Sequence, residues 1–378
     1  MSTISRCSWC LLRPCSSVWR QQPLRFLRNT SPKPSSHDRS ASTSAPNVTV
    51  RPFDLISLAR TRPKRRVETI NGYTSEWSYF GAESLLKLPS IYSHLAKTRL
   101  TALVTVTAVA GFGLAPGVWG VDSLLACGLG TALMSAGANT FNQFLEVPYD
   151  CQMKRTQARA LVLGKLSPGH AVAFGVTTGL LGFATLWTFC NPLTASLGLA
   201  NLVLYAGIYT PLKRHSIACT WAGAVVGAIP PLMGWAACYG SLDPAAAVLA
   251  AILYAWQFPH FNSLSWNLRA DYSRAGYRVM CVTDPALCLR TTIRYSLALI
   301  GLCSLAAPLT DLSSWWFAVS SLPLNAQLTY LSYKFYSAPD SGSSRRLFRY
   351  TLLYLPLLMS LLLSCNFIRK RRASKEDN

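Results

Sequence analysis

Asn142-Gln-Phe-Leu-Glu146-Val-Pro148-Tyr-Asp150-Cys-Gln-Met153-Lys154-Arg155-Thr156-Gln-Ala-Arg159 directly follows an apolar run, 124–141, of the kind that spans a bilayer. Asn142, Glu146 and Asp150 recur at every fourth residue, so on a helix they form one slowly drifting stripe. Pro148 lacks the N–H that an interior helical residue donates, which predicts a break near it and places Asp150 just past the helix end. Lys154, Arg155 and Arg159 follow. Carboxylates beside cations at a membrane edge suit a hard divalent metal, which takes oxygen ligands. Such a metal would hold an anion, a diphosphate for example, that the cations also clamp. The bland alternative is a helix end with ordinary flanking charges, since loops beside membrane helices are often basic.

Composition favours the membrane. Of 378 residues, 51% are hydrophobic and only 13% charged, where a soluble protein carries about a quarter. The net charge of +21 raises the question of nucleic acid. Its cations, however, lie in the N-terminal arm, between apolar runs and at the C-terminus rather than on one soluble face, so no nucleic-acid partner is expected. The 12 cysteines sit mostly inside apolar runs and read as small buried hydrophobes, and Cys7-x-x-Cys10 has no second pair to make a zinc site.

Four regions follow. Residues 1–50 read as a mitochondrial transit peptide and a Ser/Pro-rich linker: 1–37 hold no acid but contain Arg6, Arg13, Arg20, Arg25, Arg28 and Lys33 among many serines. Residues 51–90 read as an N-terminal segment outside the membrane, 91–368 as the membrane domain and 369–378 as a basic polar tail. Within the membrane domain nine apolar segments approach spanning length: 99–117, 122–144, 170–189, 192–210, 217–239, 244–262, 294–310, 313–334 and 347–367. The connection after the second holds Lys154, Arg155, Arg159 and Lys165; after the fourth, Lys213 and Arg214; after the sixth, Arg269, Arg274, Arg278 and Arg290; after the eighth, Arg345 and Arg346. Connections after the odd segments hold none. This alternation sets the even connections on the side of the basic arm, the matrix side if the membrane is the mitochondrial inner one, though it strands Arg369 to Arg372 on the other face.

Both acid-bearing connections fall on that one side. The second reads Arg269-Ala-Asp271-Tyr272-Ser-Arg274-Ala-Gly276-Tyr, with Trp256-Gln-Phe-Pro-His260-Phe just upstream; an ordinary surface ion pair is the competing account. Tyr209-Thr-Pro-Leu-Lys213-Arg214 also lies there, and Lys97-Thr-Arg99 opens the first segment, where a snorkelling anchor is an equal reading. His260 is an intramembrane ionisable residue, hence a candidate for function as well as a core histidine. Gly223, Gly227 and Gly234 allow close helix approach, and Pro230-Pro231 predicts a kink.

Asn142-x-x-x-Glu146-x-x-x-Asp150 with Met153-x-Arg155-Thr156-x-x-Arg159-x-Leu161 resembles the first motif of the UbiA superfamily of intramembrane prenyltransferases, over roughly residues 91–365. Ala160 stands where that family usually has proline. Asp271-Tyr-x-x-Ala-Gly, Ile229 to Trp235 and the His260 stretch resemble one branch of it, whose members farnesylate protohaem IX. The resemblance implies an all-α bundle of about nine transmembrane helices around a cavity. It implies Mg²⁺ held by Glu146, Asp150 and Asp271, with Asn142 beside them. Lys154, Arg155, Arg159, Lys213, Arg214, Arg269 and Arg274 would grip the diphosphate of farnesyl diphosphate, and His260 would lie near the porphyrin of haem B. The product would be haem O, passed toward a haem A synthase. A family member that prenylates an aromatic quinone precursor, a membrane carrier for an anion, and a non-catalytic scaffold remain alternatives.

Overall fold

The computed structural model describes residues 88–376, with side chains as far as Phe367, and a pair of two-residue antiparallel strands, Thr69–Ile70 (β1) and Tyr73–Thr74 (β2). The expected leader and linker, most of 51–90 and the side chains of the basic tail lie outside the described residues. β1 and β2 belong to the unit Met1–Glu76, and all the helices belong to the unit Trp77–Asn378.

Those helices are α1 (Leu88–Leu95), α2 (Thr98–Leu114), α3 (Val121–Asp150), α4 (Pro168–Phe189), α5 (Pro192–His215), α6 (Cys219–Tyr239), α7 (Pro244–Asn267), α8 (Arg269–Arg274), α9 (Met280–Thr283), α10 (Pro285–Leu309), α11 (Trp315–Ser337) and α12 (Ser341–Glu376). Four of them start in the same way. Ser167, Asn191, Asp243 and Asp284 each accept a hydrogen bond from a backbone N–H three residues on, and a proline follows each. The cap satisfies a donor that the first helical turn would leave bare, and proline is preorganised there because its missing N–H is not needed.

Among the described residues, nine helices of 17 residues or more stand where the nine apolar segments were expected. By length and apolarity together, however, six single helices can cross a membrane, or seven counting α1 and α2 as one span bent by 55°. α7 and α11 fall short because they carry polar residues, several of them turned inward: Asn262, Ser263 and Ser265 on α7 and Ser321, Asn325 and Ser332 on α11 are buried, while Gln327 and Lys334 on α11 are exposed.

Several helices run longer than expected: α5 to His215, α7 to Asn267 and α12 from Ser341 to Glu376, so Lys213, Arg214, Arg345 and Arg346 lie on helices. Two further ends also differ. α3 runs through Pro148 to Asp150, because a proline in the last turn removes a single hydrogen bond before the helix stops. The seventh segment begins at Pro285 rather than 294, with Asp284 Oδ1 accepting from Leu287 N–H at 2.8 Å, so Arg290 lies on a helix instead of in a loop. Pro230 and Pro231 lie inside an unbroken α6. Prolines do act elsewhere. Just before Pro211 and Pro308, α5 and α10 pass through π-helical stretches, Leu204–Tyr209 and Leu302–Ala306. Each proline lacks the N–H for the preceding turn, and the chain re-registers to longer-range bonds such as Thr210 N–H to Tyr205 O.

α2 and α6 approach closely at two glycines. A Cβ on Gly234 would meet the Ala108 carbonyl oxygen at 1.7 Å, and one on Gly111 would meet that of Pro231 at 2.1 Å. Lipid tails are as apolar as leucine, so helices in a membrane are held by such close packing more than by burial from water.

Candidate active site

The charged stretch sits at the end of α3, and three neighbours close over it. Asn139 and Gln143 fix the corner between α1 and α2: Asn139 Nδ2 donates to Ala96 O at 3.3 Å, and Gln143 Nε2 donates to Leu95 O at 2.7 Å and His94 O at 3.1 Å. This ties down the chain where Lys97 adopts a left-handed backbone (φ 48°), a conformation uncommon for a residue with a Cβ. Lys97 Nζ then reaches Asn142 Oδ1 at 2.7 Å, and Asn142 Nδ2 donates to Thr210 Oγ1 at 3.0 Å. Lys97 is therefore no snorkelling anchor; its ammonium joins the stripe.

Glu146 and Asp150 are 5% and 0% exposed, and both are met by cations. Lys213 Nζ donates to Glu146 Oε1 at 2.6 Å, Arg159 Nη1 lies 3.7 Å from Glu146 Oε2, and Arg159 donates to Asp150 Oδ2. Buried charges require such partners. The polypeptide between α3 and α4 folds back to deliver Arg159, helped by Thr156 Oγ1 donating to Asp150 O at 3.0 Å.

The second acidic stretch arrives at the same end. Arg278 N–H donates to Lys213 O at 2.8 Å, and Met153, Tyr272, Tyr277 and Met280 pack in one core with Tyr149, Tyr209 and Leu212 beside them. Gly276 (φ 72°) makes the turn that a side chain would strain. Asp271 itself remains at the rim, 3.3 Å from Arg274 Nη1. Arg214 lies over the Tyr149 ring at 4.3 Å and donates to its hydroxyl at 2.6 Å; Arg269 lies 5.5 Å from the Trp266 ring; Lys154 and Arg155 are exposed. The structure thus unites Asn142, Glu146, Asp150, Arg159 and Lys213 in one cluster; Lys154, Arg155, Arg214, Arg269, Asp271 and Arg274, expected beside them, make no direct contact with its carboxylates among the described residues. Thr210, Asn139, Tyr205 and Tyr277 went unread in the sequence, having no charge or periodic signal to mark them.

About two helical turns along α3 from Glu146 lies an apolar cavity lined by Leu100, Met134, Ala138, Leu202, Val226 and Met233. Asn139 and Tyr205 also line it, and the Tyr205 hydroxyl donates to Asn139 Oδ1 at 3.3 Å. A charged cluster linked to an apolar cavity through Asn142, Thr210 and Tyr205 suits an amphiphile with an anionic head.

His260 lies elsewhere, between α7 and α12. Trp256 stacks on it at 4.6 Å, Phe348 lies at 5.1 Å, and its Nδ1 is 2.9 Å from Thr351 Oγ1. Thr351 Oγ1 also lies 2.7 Å from Phe348 O, and where its hydroxyl proton goes there, Nδ1 donates to Thr351 and Nε2 keeps its lone pair. A hydrogen bond on one ring nitrogen with the other bare is how ligating histidines are held.

The fit of a divalent cation rests on Asp150. Its second oxygen, Oδ1, is buried with no hydrogen-bond partner among the described residues. Among those residues no three carboxylate, imidazole or thiol side chains converge closely enough to make a metal cage. Nor does Mg²⁺ require one, since it commonly binds through one or two carboxylates plus substrate phosphates and water. Arg159 and Lys213 already face the two buried acids, so an added divalent charge needs an anion with it. The donor set fits metal and diphosphate together.

Residues 103–362 match the model of the UbiA prenyltransferase family. The chain belongs to the UbiA prenyltransferase family. It is 54% identical over 278 residues to protoheme IX farnesyltransferase, mitochondrial, of Homo sapiens, a match covering 74% of this chain and 62% of that protein. The chain thus spans less than two thirds of that relative's length. In fold it is similar to a structure from work on digeranylgeranylglyceryl phosphate synthase in membranes, with TM-score 0.64 and 12% identity over 75% of this chain and 99% of that one. It is also similar to a UbiA homologue from Archaeoglobus fulgidus bound to GPP and Mg²⁺, with TM-score 0.59 and 14% identity over 74% and 98%.

Proposed function

We propose that this UbiA family member transfers the farnesyl group of farnesyl diphosphate to a vinyl group of protohaem IX, giving haem O. The observation that carries the reading is the juxtaposition of the Glu146–Asp150–Arg159–Lys213 cluster with an apolar cavity about two helical turns along α3 from Glu146. The cluster takes the diphosphate and the cavity takes the isoprenoid. Haem as acceptor is supported by the name of the human relative and by His260, an intramembrane imidazole packed against Trp256 and Phe348.

Glu146 and Asp150 would hold Mg²⁺, with Asp271 at the rim reaching it through water or substrate oxygens; when bound, the ion neutralises charge on the diphosphate leaving group. Lys213 and Arg159 clamp the same group, with Lys154, Arg155, Arg214, Arg269 and Arg274 around the entrance. Asn142, braced by Lys97 and Thr210, keeps the stripe in register. Leaving-group stabilisation lets the allylic C–O bond ionise, and the apolar cavity keeps water from the farnesyl cation until the vinyl group captures it. Water then adds to complete the hydroxyethylfarnesyl chain, releasing a proton. No nucleophilic side chain is needed. The chain would lie in the mitochondrial inner membrane with the cluster facing the matrix, and its product would pass to a haem A synthase.

The test is to incubate the purified chain with haem B, farnesyl diphosphate and Mg²⁺ and look for haem O by mass. Formation of a prenylated aromatic acid instead, with no haem O, overturns the haem reading and leaves the family intact.

A further inference from the structure

We infer that the Tyr277 hydroxyl is a further catalytic group, a hydrogen-bond donor to the departing diphosphate. The inference rests on the diphosphate reading of the cluster and goes beyond its charged residues.

Tyr277 is placed by backbone on both sides. Its own N–H donates to Tyr272 O at 3.0 Å, and the next N–H, of Arg278, donates to Lys213 O at 2.8 Å. The left-handed Gly276 makes the turn between them and α8. The ring is held edge-on by Tyr149 at 5.8 Å and Tyr272 at 6.0 Å. Tyr277 is 3% exposed, yet its hydroxyl has no hydrogen-bond partner among the described residues. It sits within electrostatic reach of Glu146, Lys213, Asp150 and Arg159.

A phenol is protonated at neutral pH, so this group has a proton to offer and needs an acceptor. Among the described residues none meets it: Lys213 takes Oε1 of Glu146, while Arg159 takes Oδ2 of Asp150 and faces Oε2 of Glu146. Buried hydroxyls left unpaired are rare and costly, and one beside a substrate cluster awaits a ligand atom. Asp150 Oδ1 is the matching vacancy of opposite kind, a buried acceptor without a donor. A metal-bound diphosphate resting on Lys213 and Arg159 satisfies both, the carboxylate oxygen with its cation and the phenol with its oxygens. The allylic C–O bond breaks with its electron pair leaving on the diphosphate. Tyr277 keeps its proton, and its hydrogen bond strengthens as charge accumulates on the acceptor.

The test replaces Tyr277 by Phe in the full chain, which keeps the ring and its contacts. Haem O formation is measured with haem B, farnesyl diphosphate and Mg²⁺, together with inhibition by inorganic pyrophosphate and thermal unfolding. Turnover should fall about 10- to 100-fold, as for loss of one leaving-group donor. Pyrophosphate should inhibit less well, KM for haem B should hold, and the melting temperature should stay or rise because an unpaired buried hydroxyl has gone. Incorporating 3-fluorotyrosine at 277, a stronger donor of nearly the same shape, should preserve or raise turnover, which keeps the proposal testable should the Phe variant fail to fold. Normal turnover and normal pyrophosphate inhibition in the Phe variant overturn the proposal alone, as does a loss of activity that merely follows a lowered melting temperature. Wild-type protein insensitive to pyrophosphate overturns the diphosphate reading and Tyr277 with it.

Discussion

Asp150 carries one oxygen bonded to Arg159 and one with no partner among the described residues, so replacing it tests the metal reading directly. Asp150→Asn keeps size and hydrogen-bonding atoms but removes the charge. Haem O formation at saturating Mg²⁺ should drop on the order of 100-fold, with protein matched by blot. Asp271→Asn should behave alike, and the double variant should be little worse than either single one, since groups acting as one unit are not additive. Asp311→Asn is the control. Asp311 lies between α10 and α11 in a left-handed conformation (φ 57°) that Asn tolerates, and the rate should not change. Near-normal rates in folded Asp150→Asn and Asp271→Asn would remove the metal–diphosphate mechanism and bring the carrier and scaffold readings forward. His260 separates the two substrates. His260→Ala should weaken haem B binding, read from the Soret band, while pyrophosphate inhibition stays as in the wild type. Unchanged haem spectra would show that Nε2 faces no iron.

At the scale of elements, the α2–α6 contact is tightly constrained. Gly234→Val would drive a side chain into the Ala108 carbonyl, where even a Cβ stands at 1.7 Å, so the two helices must part. Overpacking a fitted interior typically costs about 1–3 kcal/mol, and a clash with backbone belongs at the upper end. The expected outcome is a lower melting temperature in detergent, with Gly301→Ala, where nothing lies within 4 Å, as the silent comparison. The same scale shows where reading by apolar runs falls short. The start of α10 was announced by Asp284-Pro285, a cap followed by a helix-starting proline, yet Arg290 and Arg294 interrupt the apolar pattern and hide that first stretch. A cap is a local signal, whereas apolarity averages over a turn or more, and here the local signal prevailed.

At the scale of the whole molecule, orientation is the open test. Single cysteines at 154, 214 and 274, in a background cleared of native cysteines, should all be labelled from the matrix face, because each belongs to a basic connection and all three side chains are exposed. Labelling of any one from the opposite face would break the alternation and the shared site together. Removal of residues 1–40 should abolish mitochondrial import while leaving activity in a bacterial membrane; normal import of the shortened chain would place the signal elsewhere.

The membrane class, the family, the places of the long helices and the acidic stripe on α3 were determined by sequence alone, because each rests on composition or on spacing along one helix. Asn142, Glu146 and Asp150 share a face whatever surrounds them. Which cation meets which carboxylate was decided only by tertiary structure. Lys213 and Arg214 are neighbours in sequence, yet one bonds Glu146 and the other the Tyr149 hydroxyl, because successive helical residues point about 100° apart and the π-helical stretch before Pro211 sets the phase. Lys97 enters the cluster only because α3 side chains hold the α1–α2 corner. Tyr277 could not be recognised in the sequence at all: a tyrosine after Ala-Gly is unremarkable until the Arg278–Lys213 bond ties its backbone beside Lys213 and its hydroxyl is found without a partner among the described residues.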